Sequence, residues 1–166
     1  MFKKIILMFV ALFISSNAYA QWDLVNDDSS LHFVSVKKSS VAEVHHFKRL
    51  KGSIDKLGNI VVAIDLSSVD THVAVRNERM KSMLFEIVNF PTAKMTSTVD
   101  LQIISAMAKG DSLMKSMTFS LSLHGISQKL VANVRIVKLS KNQLLATSIE
   151  PIIVKASNFK LSDGIE

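Results

Sequence analysis

From residue 31 onward, apolar and polar side chains alternate with a period of two through a series of short runs. In LHFVSVKK (31–38), Leu31 and Phe33 share one face while His32 and Val34 share the other. In FKRLKGSID (47–55), Leu50, Gly52 and Ile54 stand together. The turn residues KLGN (56–59) lead into IVVAIDL, where Ile60, Val62, Ile64 and Leu66 do the same. KMTSTVDLQII (94–104) sets Met95, Ser97, Val99, Leu101 and Ile103 against Lys94, Thr96, Thr98, Asp100 and Gln102. The cleanest run is KSMTFSLSLHG, with Met117, Phe119, Leu121 and Leu123 opposed to four hydroxyl side chains. KLVANVRIVKL (129–139) then aligns Leu130, Ala132, Val134 and Ile136. QLLATSIEPIIVKAS (143–157) reads as the last strand, with Pro151 predicting an edge or a bulge.

Successive side chains of a strand point to opposite faces, so each run predicts a strand with one buried face. KGDS, HGISQ and SKNQ separate the runs as hairpin turns do. Crossover helices, which parallel strands require, are missing from the pattern. The chain therefore reads as all-β, seven or so antiparallel strands rolled into a barrel or paired as a sandwich.

One stretch breaks the alternation: SVDTHVAVRNERMKSMLFEIVNFP (68–91). Val73, Met80, Leu84 and Ile87 recur at helical spacing, and the charged Arg76, Glu78, Arg79 and Lys81 mostly fall off that stripe. Asp70 or Thr71 is placed to cap the helix start, and Pro91 bars its continuation. The expectation is a short amphipathic helix near 72–86, with Val73, Met80 and Leu84 turned toward the β structure.

The first twenty residues read as a leader rather than as fold. MFKK is a positive start, IILMFVALFI an apolar core, and Ala18-Tyr19-Ala20 a small-residue cleavage site. Ten apolar residues fall well short of the roughly 20 that a spanning helix needs. We therefore expect residues 1–20 to be a cleavable signal peptide, residues 21–166 a single domain, and the mature protein to be periplasmic. With no cysteine after the cleavage site, lipid attachment there is excluded, and no disulfide can staple the domain. Stability must come from the core.

Charge adds little. Loss of Lys3 and Lys4 lowers the formal net charge from +6 to +4, a mild excess spread along the chain. That suits a solvated surface and transient contact with a membrane surface; a nucleic-acid partner is not expected. The five histidines lack companions at metal-ligand spacing, and His45-His46 would point to opposite faces of a strand. No G-x-S-x-G, H-E-x-x-H or glycine-rich phosphate loop occurs, so neither catalytic residues nor a metal site are expected, and no cofactor is required.

The helical insert carries a further signal. Ser68-Val69-Asp70-Thr71, then Arg76, Met80, Lys81 and Ser82, then Phe85, Phe90 and Pro91 follow a long ordered pattern. This pattern resembles the YceI-like family of periplasmic, lipocalin-like, polyisoprenoid-binding proteins. Asn77 and Arg79 depart from it, standing where the family usually has Asp and His. Leu31-x-Phe33, Val44, Gly52 and LHGISQKL (123–130) are similar to the family's flanking strands and turn. The resemblance spans most of residues 22–160.

It implies a lipocalin-like antiparallel barrel of about eight strands enclosing an apolar channel, and a binding or carrier protein, not an enzyme. The implied ligand is an amphiphilic isoprenoid lipid, a quinone or a polyprenyl phosphate. Phe33, Leu50, Ile54, Val62, Phe85, Phe90, Met95, Phe119, Leu121 and Leu123 are its expected lining. Arg76 and Arg79 are candidates for an anionic head group, or for pairing with Asp70 and Glu78. The alternatives are a periplasmic stress-response or interaction module with a packed barrel and, less in keeping with the pattern, a periplasmic hydrolase. A homodimer is compatible with either binding role. The family typically runs on to a closing strand where this sequence ends at KASNFKLSDGIE, leaving barrel closure open.

Overall fold

The computed structural model describes residues 20–37 and 41–161. The leader expected at residues 1–20 lies outside the described residues except for Ala20, and so do residues 162–166. Among the described residues ten strands form: β1 (Ala20–Asp23), β2 (Leu31–Lys37), β3 (Val41–Phe47), β4 (Leu50–Asp55), β5 (Asn59–Asp65), β6 (Val69–Asp70), β7 (Thr92–Thr98), β8 (Ser112–Leu123), β9 (Ile126–Ser140) and β10 (Gln143–Ser148). Every pairing is antiparallel. One sheet runs β1-β4-β5-β7-β8-β9-β10 and a smaller one β2-β3-β6.

The two sheets join at a bend. The expected strand over 47–55 divides at Lys48-Arg49, between Phe47 ending β3 and Leu50 opening β4. Lys48 N–H donates to Ser68 O at 3.1 Å and Asp65 N–H to Arg49 O at 3.1 Å, so pairing continues around the corner. The result is a nearly closed antiparallel barrel, with ten strands among the described residues where about eight were expected.

Register sets the inner wall. Gly52↔Val62, Val62↔Met95, Met95↔Leu121 and Leu121↔Gln128 form one inward row, and Phe119↔Leu130 and Met117↔Ala132 form the next rows toward the far end. The longest pair, β8 and β9, is closed by His124-Gly125, both with positive φ (51° and 73°). Two left-handed residues give a turn whose twist matches the strands, which is why glycine stands there. Gly52 meets a different need: Leu24 passes so close that a Cβ at residue 52 would stand 3.2 Å from Leu24 Cβ and 3.0 Å from Val61 O.

Three expectations change on folding. The run 94–104 does not continue as a strand. β7 ends at Thr98, and Asp100 caps a second helix, α2 (Leu101–Ala106), by accepting from Gln102 N–H at 2.8 Å. A cap satisfies an otherwise orphaned donor, and Leu101 and Ile104 at i, i+3 then face the core while Ile103 turns outward. The expected strand 143–157 stops at Ser148, before Pro151. Further on, Ala156–Phe159 forms a 3₁₀ turn that buries Phe159 and Leu161 against Leu121, Leu123 and Leu130.

The insert forms α1 (Ala74–Arg79) followed by one π-helical turn, Met80–Leu84. Met80, Leu84 and Ile87 pack on the core as their spacing predicts. Val73 does not: it is exposed and occupies the N-cap position, where no side chain caps the helix. Asp70 and Thr71 work elsewhere. Asp70 Oδ1 accepts from His72 N–H at 2.9 Å, and Thr71 Oγ1 donates to Asn77 Oδ1 at 2.7 Å, fixing the corner before the helix.

Candidate functional site

At the α1 end, the inner wall is aromatic. Phe33, Phe47 and Phe85 form a chain of rings with centroids 5.2 Å and 5.8 Å apart, and Leu50, Ile64, Leu66 and Val69 complete the cluster. β2 and β3 also turn polar groups inward. His45, only 1% exposed, is within 2.8 Å of Ser35 Oγ through Nε2, and Glu43 receives two hydrogen bonds from Arg76 at 2.8 and 3.1 Å. The Arg76–Glu43 pair is half-buried and bidentate, a geometry that fixes orientation as well as charge. It ties α1 to β3.

A second polar centre lies on the outside of the same corner. Asp70 accepts from Lys48 Nζ at 2.7 Å and from His72 N–H, and Asn77 Nδ2 approaches at 3.4 Å. The Lys48 ammonium first, then the His72 amide, hold the Asp70 carboxyl far below the usual carboxylate range. His46 and His72 rings stand 5.6 Å apart beside it, and His32 lies 5.9 Å from His46. Among the described residues no group of three His, Asp or Glu side chains is arranged to hold a metal ion. His45, expected to point to the opposite strand face from His46, is buried by the inward phase of β3.

Toward the α2 end the wall is mostly aliphatic. Met117, Phe119, Ala132, Val134, Ile136 and Ile104 are buried together, with Trp22, Ile54 and Met95 packed against them. Beyond them Lys138 is buried on the inward face of β9. It lines a cleft of about 340 Å³ with Gln21, Trp22, Ser105, Lys141 and Asn142. A shallower cleft of about 420 Å³ on the outer face, over Val61, Thr96, Thr118 and Lys129, contains none of the expected lining side chains.

The structure separates the expected lining into groups. Phe33, Leu50 and Phe85 gather at the α1 end, and Ile54, Met95 and Phe119 at the α2 end. Leu121 and Leu123 contact the buried Phe159, and Val62 lies midway, on the inward row with Gly52 and Met95. Phe90 stands at the rim, its ring 4.4 Å from that of His124. Arg76 pairs with Glu43, not with Asp70 or Glu78, and Arg79 is exposed on the outside of α1. Neither guanidinium is presented to the interior as a free cation.

Trp22 and Lys138 were not singled out from the sequence. The signal for Lys138 was present: the alternation 130, 132, 134, 136 continues one step further to it. Trp22 carried none, because the strand that holds it is four residues long and pairs with β4 across a register shift.

A family model described as the YceI-like domain matches residues 22–165. The chain belongs to the YceI-like family. Among solved structures, a polyisoprenoid-binding domain from Saccharophagus degradans implicated in plant cell wall breakdown is 33% identical. The match covers 88% of this chain and 84% of that one, with a TM-score of 0.86. Burkholderia cenocepacia BcnA is 18% identical over 82% of this chain and 84% of its own, with a TM-score of 0.60, and shows the shared YceI-like fold alone. No curated protein matches the chain.

Proposed function

We propose that this YceI-like protein is a periplasmic binding or carrier protein that holds an amphiphilic isoprenoid lipid, of quinone or polyprenyl type, inside its barrel. The observation that carries the reading is the inner wall itself. It is apolar along the rows from Ile64 through Val62 and Met95 to Phe119 and Met117, and its middle residues Val62 and Met95 keep accessible surface although they point inward. Inward apolar surface left unfilled by side chains is what a lipid tail would cover. The polyisoprenoid binding named for the Saccharophagus relative supports the ligand class.

Each CH₂ taken out of water contributes roughly 0.8 kcal/mol, so part of a prenyl chain suffices for binding from water. Against a bilayer that gain nearly vanishes, because lipid hydrocarbon is as apolar as the barrel wall. The advantage is therefore transit across an aqueous space after brief contact with a membrane surface. The leader-like residues 1–20 support the periplasm as that space. Such a role requires neither a catalytic group nor a cofactor, and it is compatible with a homodimer.

The test is organic extraction of the protein purified from its native compartment, followed by mass spectrometry. A prenyl lipid in about stoichiometric amount is the expected result. Absence of any prenyl lipid, together with failure of the purified protein to take up farnesol, would overturn the reading.

A further inference from the structure

The carrier reading leaves the polar end of the ligand undefined, and one buried cation bears on it. Lys138 is 8% exposed, and its Nζ reaches the carbonyl of Ile104 on α2 at 3.5 Å, the outer limit of a hydrogen bond. An ammonium has three donors. No described carboxylate forms an ion pair with it. The register places two lysines, Lys115 and Lys138, and no Asp or Glu on the inward positions of the seven-stranded sheet. Buried charges in proteins are normally paired, because an unpaired one forfeits its hydration.

The surroundings supply room for a partner. β1 and β10 are the two edges of the large sheet. The 340 Å³ cleft lies at that seam, lined from β1 by Gln21 and Trp22, from α2 by Ser105, and from the β9–β10 turn by Lys141 and Asn142. Trp22 belongs both to the cleft and to the apolar cluster of Met117, Phe119 and Ile136. A polar pole and an apolar wall thus meet at one side chain. Lys138 also caps the end of α2 through Ile104 O, which uses one donor and leaves the others for the cleft.

We infer that this cleft binds the anionic head, a phosphate or carboxylate, of a single-chain amphiphile whose tail lies along the inner wall. Lys138 is the charge partner and Lys141 a second cation at the rim. The inference rests on the carrier reading and deepens it, favouring a charged over a neutral head group.

Trp22 is the single tryptophan, so its fluorescence reports on the cleft. The delipidated protein is titrated with farnesyl monophosphate, farnesol and inorganic phosphate. Farnesyl monophosphate is expected to bind roughly tenfold or more tighter than farnesol, the order that a charge-assisted hydrogen bond supplies. Lys138→Met and Lys138→Gln are expected to abolish that preference, and Lys138→Arg to keep it. Equal affinity of the wild-type protein for the two lipids overturns the head-group inference and leaves the carrier reading standing. Binding of neither overturns both. Inorganic phosphate binding as tightly as farnesyl monophosphate marks a free-phosphate site and overturns the lipid assignment. The wild-type comparison decides the matter even where a Lys138 variant does not fold.

Discussion

Replacing Phe159 by alanine tests whether the C-terminal 3₁₀ turn belongs to the cooperative fold. Phe159 is 1% exposed and packs with Leu121 and Leu161, while Leu84, Leu123, Leu130 and Ala156 surround them. Its carbonyl also lies 3.2 Å from His124 Nδ1, joining the turn to the β8–β9 hairpin. Truncating a fully buried phenylalanine costs about 3–5 kcal/mol, from lost transfer energy plus the cavity left behind. In a domain of this size each kcal/mol lowers Tm by roughly 2–4 °C, so the expected drop is about 6–20 °C.

That magnitude holds only if the turn unfolds with the barrel. If it undocks separately, the loss is capped at its own docking free energy and the barrel's Tm hardly moves. Thermal denaturation of Phe159→Ala beside Phe119→Ala separates the two cases, because Phe119 lies in the wall itself. Hydrogen exchange at the Leu161 amide, bonded to Ala156 O at 3.1 Å, reads the turn directly. A shift under about 2 °C for Phe159→Ala, against a full loss for Phe119→Ala, would refute the claim that the turn is part of the core.

Gly52→Ala is expected to destabilise by about 1 kcal/mol in urea unfolding. Contacts at 3.0–3.2 Å with Val61 O and Leu24 outweigh the entropic benefit of losing a glycine; a stabilised variant would show that Leu24 yields freely. Asp70 titrates well below the usual carboxylate range because Lys48 and the His72 amide favour its charged form. Its contribution is therefore present above about pH 4, the unfolded value, and is lost as pH falls further toward the folded value. Asp70→Asn should flatten the loss of stability between pH 5 and pH 2 (about the range accessible to denaturation curves), and an unchanged acid limb would count against the Lys48 pairing. Phe119→Gln places a polar amide in the apolar wall and should reduce farnesol uptake at least about tenfold, on the order of 1–3 kcal/mol for an unpaired polar group. Uptake equal to wild type would place the tail elsewhere.

The alternation of side chains was enough to decide the β class, the inward identity of Leu50, Val62, Met95, Phe119 and Leu121, and the hairpin at His124-Gly125. Those features depend on neighbours in sequence: the pleat sets the face and the turn sets the register. The helix at 74–84 was legible for the same reason, through the spacing of Met80, Leu84 and Ile87.

Partners distant along the chain were not legible. Arg76 found Glu43, 33 residues away, and Lys48 took Asp70, because the bend after Phe47 brings β3 under the helix. The run after Val99 reads as a strand by period two, but the Asp100 cap and the packing of Ile104 into the core selected a helix. Lys138 shows the division most plainly. Its phase along β9 was fixed by the sequence, but its burial arises only where the sheet's edge strands and α2 meet, leaving a cation inside an apolar wall.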